Sequence, residues 1–316
     1  MAGFAMMLYG LLVVVAVGLA WMTARRRGPV RVGAAAALTM QAARRRAIVA
    51  IGFALVLLLA GFVVSLAVPG WLGLAAAIAP AVAGAGGLLL YAATPPPQDR
   101  ETHARFSASL DRRGPWTIAP RGGLTSLGVV LVLLLGVLIF TGATSDVDDR
   151  GLYRAITFAT STHSSTATPY PGWFYAVPLM GATALLVIAA WIALRRIATT
   201  ASLTGEGLQD MDRLWRVRSA QIIVGIAFAT VSLQIGGVAV FAGTTMRNAQ
   251  FHPGVPVAWD VLATLLLILG IVATVVSIAS LTLATLRTFT LPGQLSHAHD
   301  SEMGGSVQPP AVGGRA

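Results

Sequence analysis

The chain has 316 residues, 56% of them hydrophobic and only 11% charged, with a mean hydropathy of +0.76 and a formal net charge of +10. A water-soluble domain carries about a quarter of its residues as charged side chains, so a soluble globular fold is excluded. The absence of cysteine excludes disulfides, thiolate catalysis and zinc–thiolate or iron–sulfur sites.

Seven apolar stretches are long enough to cross a bilayer, which takes about 20 helical residues because backbone polar groups there must be satisfied internally. They are residues 4–22, 47–68, 71–93, 124–143, 173–194, 219–243 and 257–286. The expected fold is therefore an all-α polytopic transmembrane bundle over residues 1–291, with an unstructured tail over 292–316. Before the first stretch there is no Arg or Lys, so it lacks the basic leader of a cleaved signal peptide and reads as a retained anchor. Large aliphatic residues dominate it.

Spans two and three are joined by little more than Pro69-Gly70, which makes them an antiparallel hairpin. In span three, 11 of the 15 residues from 73 to 87 are Gly or Ala. Small residues let helix backbones approach closely in lipid, so this span is expected near the bundle centre. Pro95-Pro96-Pro97 ends it, and an arginine-punctuated polar segment leads to span four, whose aliphatic surface suits contact with lipid.

The loop over 144–172 is the most distinctive region. It holds Asp146, Asp148, Asp149, Arg150, Arg154 and His163, and residues 152–159 alternate as a strand or hairpin would. Three carboxylates near a histidine raise the question of a cation site. They lack the spaced ligands and the glycine of a calcium loop, so the reading is a solvated acidic turn. The run Pro169-Tyr170-Pro171-Gly172-Trp173 reads as an interfacial anchor for span five.

Residues 205–218 have an amphipathic pattern, with Leu208, Met211 and Trp215 on one face, and are expected as a separate helix lying on the membrane surface. Span six places Gly225, Ala229, Ser232 and Gly236 on one stripe, and span seven does the same with Gly270, Thr274 and Ser277. Gln234, in mid-span, is expected to hydrogen-bond across helices. Asp260 lies one turn into span seven, where it can reach interfacial water or pair with Arg247, Arg150 or Arg154. No span carries a deeply placed ionisable residue, which argues against a proton-coupled carrier or ion pump. His297 and His299 in the tail have no fixed third ligand, and the chain contains no Walker A loop, HExxH or GxSxG motif. No catalytic, metal or cofactor residue is assigned.

All 22 basic residues are arginine, and nineteen fall in the segments on one side of the seven-span topology; only Arg150, Arg154 and Arg247 fall on the other. The positive-inside rule then places the N-terminus outside and the C-terminus in the cytoplasm of a plasma-membrane protein. The same placement explains the net charge without nucleic acid as a partner. The bilayer is the partner the composition implies, with other membrane proteins as candidates.

Asp148-Asp149-Arg150-Gly151, Pro169-Tyr170-Pro171-Gly172 and Tyr175-Ala176-Val177-Pro178 together resemble a family of actinobacterial multi-spanning membrane proteins, over about residues 95–220. The resemblance implies no activity and transfers no site residue. The expected role is that of a non-enzymatic accessory, sensor or assembly component. The alternative is a permease subunit for an apolar or amphipathic solute. Reporter fusions are expected to find residue 110 in the cytoplasm and residue 160 outside; the reverse pattern would overturn the topology.

Overall fold

The structure is a computed structural model that describes residues 18, 34–94, 114, 118–159, 164–200, 209–250 and 256–305. Among these described residues the main elements are six helices and one small sheet: α1 (Ala34–Ala67), α2 (Leu74–Ala93), α3 (Arg121–Ala143), β1 (Asp146–Val147), β2 (Tyr153–Ala159), β3 (Ser164–Ala167), α4 (Trp173–Thr199), α5 (Gln209–Ala249) and α6 (Val257–Gly305). A 3-10 turn, Pro69–Trp71, joins α1 to α2. All six helices contain segments long and apolar enough to cross a membrane, and these match spans two to seven to within a few residues. The expected first span, residues 4–22, lies outside the described residues apart from Gly18. The chain is thus an integral membrane protein built from at least these six apolar helices.

Two corrections concern helix boundaries. The surface helix expected over 205–218 is not separate, because Gln209–Ala249 is one continuous helix of 41 residues. Trp215 and Arg216 are buried against the end of α4 instead of lying on lipid. The unstructured tail expected from Pro292 is also displaced, since α6 runs unbroken to Gly305.

The joint between α5 and α6 is the most extensive in the molecule. It is antiparallel, and glycine sets its spacing. A Cβ at Gly243 would sit 2.7 Å from the Ala263 carbonyl oxygen, and one at Gly270 would sit 2.8 Å from the Val240 nitrogen. A Cβ at Gly236 would overlap Thr274 Oγ1. Farther along, Ser277 Oγ donates 2.7 Å to the Ala229 carbonyl. Burial of apolar surface gives little drive between helices already in lipid, so this close backbone contact supplies much of the cohesion. The stripe read from Gly225 to Gly236 is the face that meets α6.

Helix α5 also packs on α2, α3 and α4, which makes it the hub of the bundle. The hairpin of α1 and α2 closes through Gly61 against Ala79 and Gly87 against Ala54. Its partner α4 holds the other side of α2. Helix α3 exposes Val129, Val132 and Ile139 to lipid, as its composition implies. The span expected at the centre, now α2, is well enclosed, but α5 is more so.

The helix ends sort into two groups. One carries Arg46, Arg196 and Arg216 and is called the arginine end. There Arg46 Nε donates to the Tyr91 carbonyl (2.8 Å) and to Thr94 Oγ1 (2.9 Å), which satisfies the C-terminus of α2. Arg216 does the same for α4, with Nη1 donating 2.6 Å to the Ile197 carbonyl and Nη2 2.9 Å to that of Thr200. Asp212 neutralises Arg216 at 2.8 Å. The other group carries the sheet and is called the sheet end.

Gly236 and Gly237 make a paired test of this packing, because a Cβ at Gly237 meets nothing within 4 Å. Gly236→Ala is expected to destabilise the detergent-solubilised protein by about 1–3 kcal/mol, the usual cost of overpacking. Gly237→Ala should leave thermal unfolding near wild type. Equal effects would refute the assignment of the α5–α6 face.

Candidate functional site

A cavity of about 400 Å³ lies at the sheet end, walled by α1, α2, α4 and α5 and roofed by Pro169, Tyr170 and Pro171. Its size falls in the range of small-molecule sites. Most of the wall is aliphatic or aromatic: Phe62 and Leu66 from α1, Ala76 and Pro80 from α2, Leu179 from α4, Val238 and Phe241 from α5. The floor forms one turn deeper, where α2, α4 and α5 converge. A Cβ at Gly84 there would stand 3.1 Å from both Leu186 Cδ1 and Thr230 Oγ1. Toward the arginine end the interior is filled by Leu88, Leu186, Ile223, Ala227 and Val231.

The wall is open on one side. Helices α1 and α5 both line the cavity but scarcely touch one another. Leu66, at the mouth, is 73% exposed. The opening therefore faces the surface that the apolar helices present to lipid.

Four polar side chains line the cavity: Ser65, Tyr170, Tyr175 and Gln234. Both tyrosines are engaged. Tyr170 is fully buried, its hydroxyl lies 2.7 Å from Thr144 Oγ1, and its ring packs with Ile156, Ala242, Met246 and Leu266. Burial pushes its pKa up to about 12, against the weaker opposing effect of the Thr144 hydrogen bond, so it is a neutral phenol at physiological pH. Tyr175 donates 2.7 Å to the carbonyl of Leu72. That residue adopts a left-handed conformation (φ +52°), uncommon for leucine, and Gly73 follows at φ +86°. The tyrosine thus holds the α1–α2 turn at the cavity rim.

Gln234 behaves differently. It is buried, and its Oε1 lies 3.1 Å from Thr183 Oγ1 on α4, the cross-helix bond expected from the sequence. Its Nε2 has no partner among the described residues.

Above the cavity sits the loop, folded as a three-stranded antiparallel sheet in the order β1-β2-β3. Strand β2 matches the alternating segment, and Ile156 pairs with Ala167 and Thr157 with Thr166. The acidic turn is not simply solvated. Asp148 Oδ1 accepts the N–H groups of Arg150 (2.9 Å) and Leu152 (2.8 Å), while Gly151, at φ +77°, closes the turn onto the Asp148 carbonyl. Asp148 Oδ2 pairs with Arg154 Nε, and the Arg154 guanidinium also faces the Tyr175 hydroxyl. A short polar chain therefore runs from the turn to the rim.

Asp146 accepts the Thr157 N–H at 2.9 Å, whereas Asp149 and Arg150 point into solvent. Asp146 and Asp148 thus have structural roles, and among the described residues no cluster of His, Asp and Glu suits a metal ion. His163 lies outside the described residues. Asp260 pairs loosely with Arg247 at 3.9 Å, both well exposed. The Pro-Tyr-Pro-Gly run is more than an interfacial anchor: Thr245 Oγ1 donates 2.6 Å to the Pro169 carbonyl, and Tyr170 plugs into α5 and α6. Phe158 adds an edge-to-face contact with Trp259 at 5.3 Å. The structure brings Gln234 to the cavity and Arg154 to its rim, and it separates both from Asp260.

No protein-family model, curated protein or solved structure matches this chain.

Burial raises the pKa of the Asp148 carboxyl, but the Leu152 and Arg150 N–H groups and the Arg154 cation outweigh it and hold the group below its ordinary value of 3.8. A carboxyl depressed in the folded state stabilises above its unfolded pKa, and the contribution disappears as pH falls through the lower folded value. Protection factors of the amides in the 148–152 turn, taken against the intrinsic exchange rate at each pH, are therefore expected to hold above about pH 5 and to fall below pH 3.8. Asp148→Asn should speed exchange at neutral pH and remove that pH dependence. Asp260→Asn, which loses only an exposed pair, should change stability by no more than about 0.5 kcal/mol; a larger loss would make Asp260 a site.

Proposed function

We propose that the chain is a plasma-membrane protein that binds, without transforming it, an apolar or amphipathic molecule drawn from the leaflet around its sheet end. On this reading it works as an accessory or sensor component, with the sheet end outside the cytoplasm. The cavity carries the proposal. It is apolar, it opens sideways toward lipid between α1 and α5, and it lies beneath an ordered extramembrane sheet.

The chemistry of the walls supports binding over catalysis. The lining offers phenols, one serine and one amide, and no carboxylate, imidazole or cation to move protons or stabilise developing charge. The orientation rests on the arginine asymmetry. A permease would use the same apolar walls, but the floor at Gly84, Leu186 and Thr230 and the filled core below it favour a closed-ended receptor site over a transit path.

The test is photolabelling in nanodiscs with a diazirine-bearing monoacylglycerol. Adducts are expected on the peptides carrying residues 62–80 and 233–241. Gly237→Phe, which fills open space at the cavity wall, should reduce them at least tenfold. Equal labelling of the lipid-facing surface of α3, unaffected by that substitution, would overturn the reading.

A further inference from the structure

The cavity also has a chemical preference, set by Gln234. This residue is 4% exposed, and its amide is the one lining group, among the described residues, with a buried nitrogen that lacks a partner. Its neighbour Thr183 has a single hydroxyl proton. That proton lies 2.7 Å from the Leu179 carbonyl and 3.1 Å from Gln234 Oε1, so the backbone carbonyl has the better claim to it. The amide then gains by turning over and donating from Nε2 to Thr183 Oγ1. In one orientation the buried amide leaves a donor beside the cavity without a partner, and in the other it leaves an acceptor. An unmet amide group in an apolar wall is costly, and a ligand that meets it gains specificity from that cost.

The partner group must be uncharged. No lining residue is ionised at neutral pH, so a phosphate, carboxylate or ammonium at this depth would be desolvated without compensation. Arg154, the cation at the rim, is already committed to Asp148. A hydroxyl both donates and accepts, and so satisfies the amide in either orientation, whereas a carbonyl satisfies only one. The remainder of the ligand must be apolar and must leave between α1 and α5, past Phe62, Leu66 and Phe241.

We propose, resting on the binding role above, that the cavity selects a neutral lipid alcohol, an amphiphile whose uncharged hydroxyl end points inward at Gln234 while its hydrocarbon tail extends through the α1–α5 opening into the membrane. This polarity is inverted relative to ordinary membrane lipids, whose polar ends face water.

The experiment compares three diazirine probes of equal chain length in nanodiscs: a monoacylglycerol, its di-O-methyl ether and the free fatty acid at pH 8. Wild-type protein is expected to take up the monoacylglycerol about tenfold better than either of the others, as one buried hydrogen bond allows. Gln234→Leu should erase the preference over the ether while the tail-dependent labelling remains. If all three probes label the wild-type cavity equally, and Gly237→Phe still blocks them, the selection proposed here fails and the binding role stands. If the fatty acid labels best, the neutral-ligand argument fails. If no probe reaches the cavity in wild-type protein, the binding role itself fails. The probe comparison in wild-type protein decides the matter even where Gln234→Leu does not fold.

Discussion

The close approach of α5 to α6 is the contact on which the remaining geometry depends. Inside a bilayer a helix gains little by exchanging lipid for another helix, so association rests on dense packing and on the few hydrogen bonds that cross between helices. Gly236, Gly243 and Gly270 permit that density, and Ser277 adds one such bond. With α5 drawn against α6, and α2, α3 and α4 arranged around α5, the hairpin of α1 and α2 is held mainly through α2. Helix α1 does not close onto α5, and the gap between them is the mouth of the cavity. An apolar recess that a water-soluble protein would collapse persists here because the surrounding medium is itself hydrocarbon.

The two ends of the bundle are finished by different means. At the arginine end, guanidinium groups meet the unpaired carbonyls where α2 and α4 terminate, the groups a helix C-terminus always leaves over. A cation also suits the negative pole of the helix dipole there. Arg46 and Arg216 are therefore capping residues, and Arg46 further stacks over the Tyr91 ring at 4.0 Å. At the sheet end, the loop between α3 and α4 carries a small sheet in which Asp146, Asp148 and Arg154 find their partners within the loop. Tyr170 fixes that loop to the helices through its ring, and Asp148 fixes the turn through its carboxylate.

Much of this was legible in the sequence, for physical reasons. Twenty-residue apolar runs have one favourable arrangement in a membrane, so the bounds of spans two to seven follow from composition. Periodicity alone puts Gly236 and Gly270 on small-residue faces of α5 and α6, while their meeting each other is supplied by the structure. The strand over β2 follows from alternation. Gln234 stood out as a mid-span amide, yet its cavity was invisible, since a recess is produced by what neighbouring helices fail to fill. The burial of Tyr170 was hidden because an aromatic residue next to a span is equally suited to the interface and to the core. Arg216 was misplaced for a related reason: a hydrophobic stripe interleaved with charges reads as a surface helix until Asp212 and the end of α4 supply partners.

The neighbouring glycines at 236 and 237 divide the work of one helix turn. Successive residues lie about 100° apart around a helix axis, so a glycine seated against α6 dictates the azimuth of everything else on α5. Gln234 inherits its heading from that registration instead of from anything in the chamber it faces. Recognition inside the recess can therefore be retuned at a distance: a methyl group added at the α6 seam would swivel the amide without altering a single wall residue.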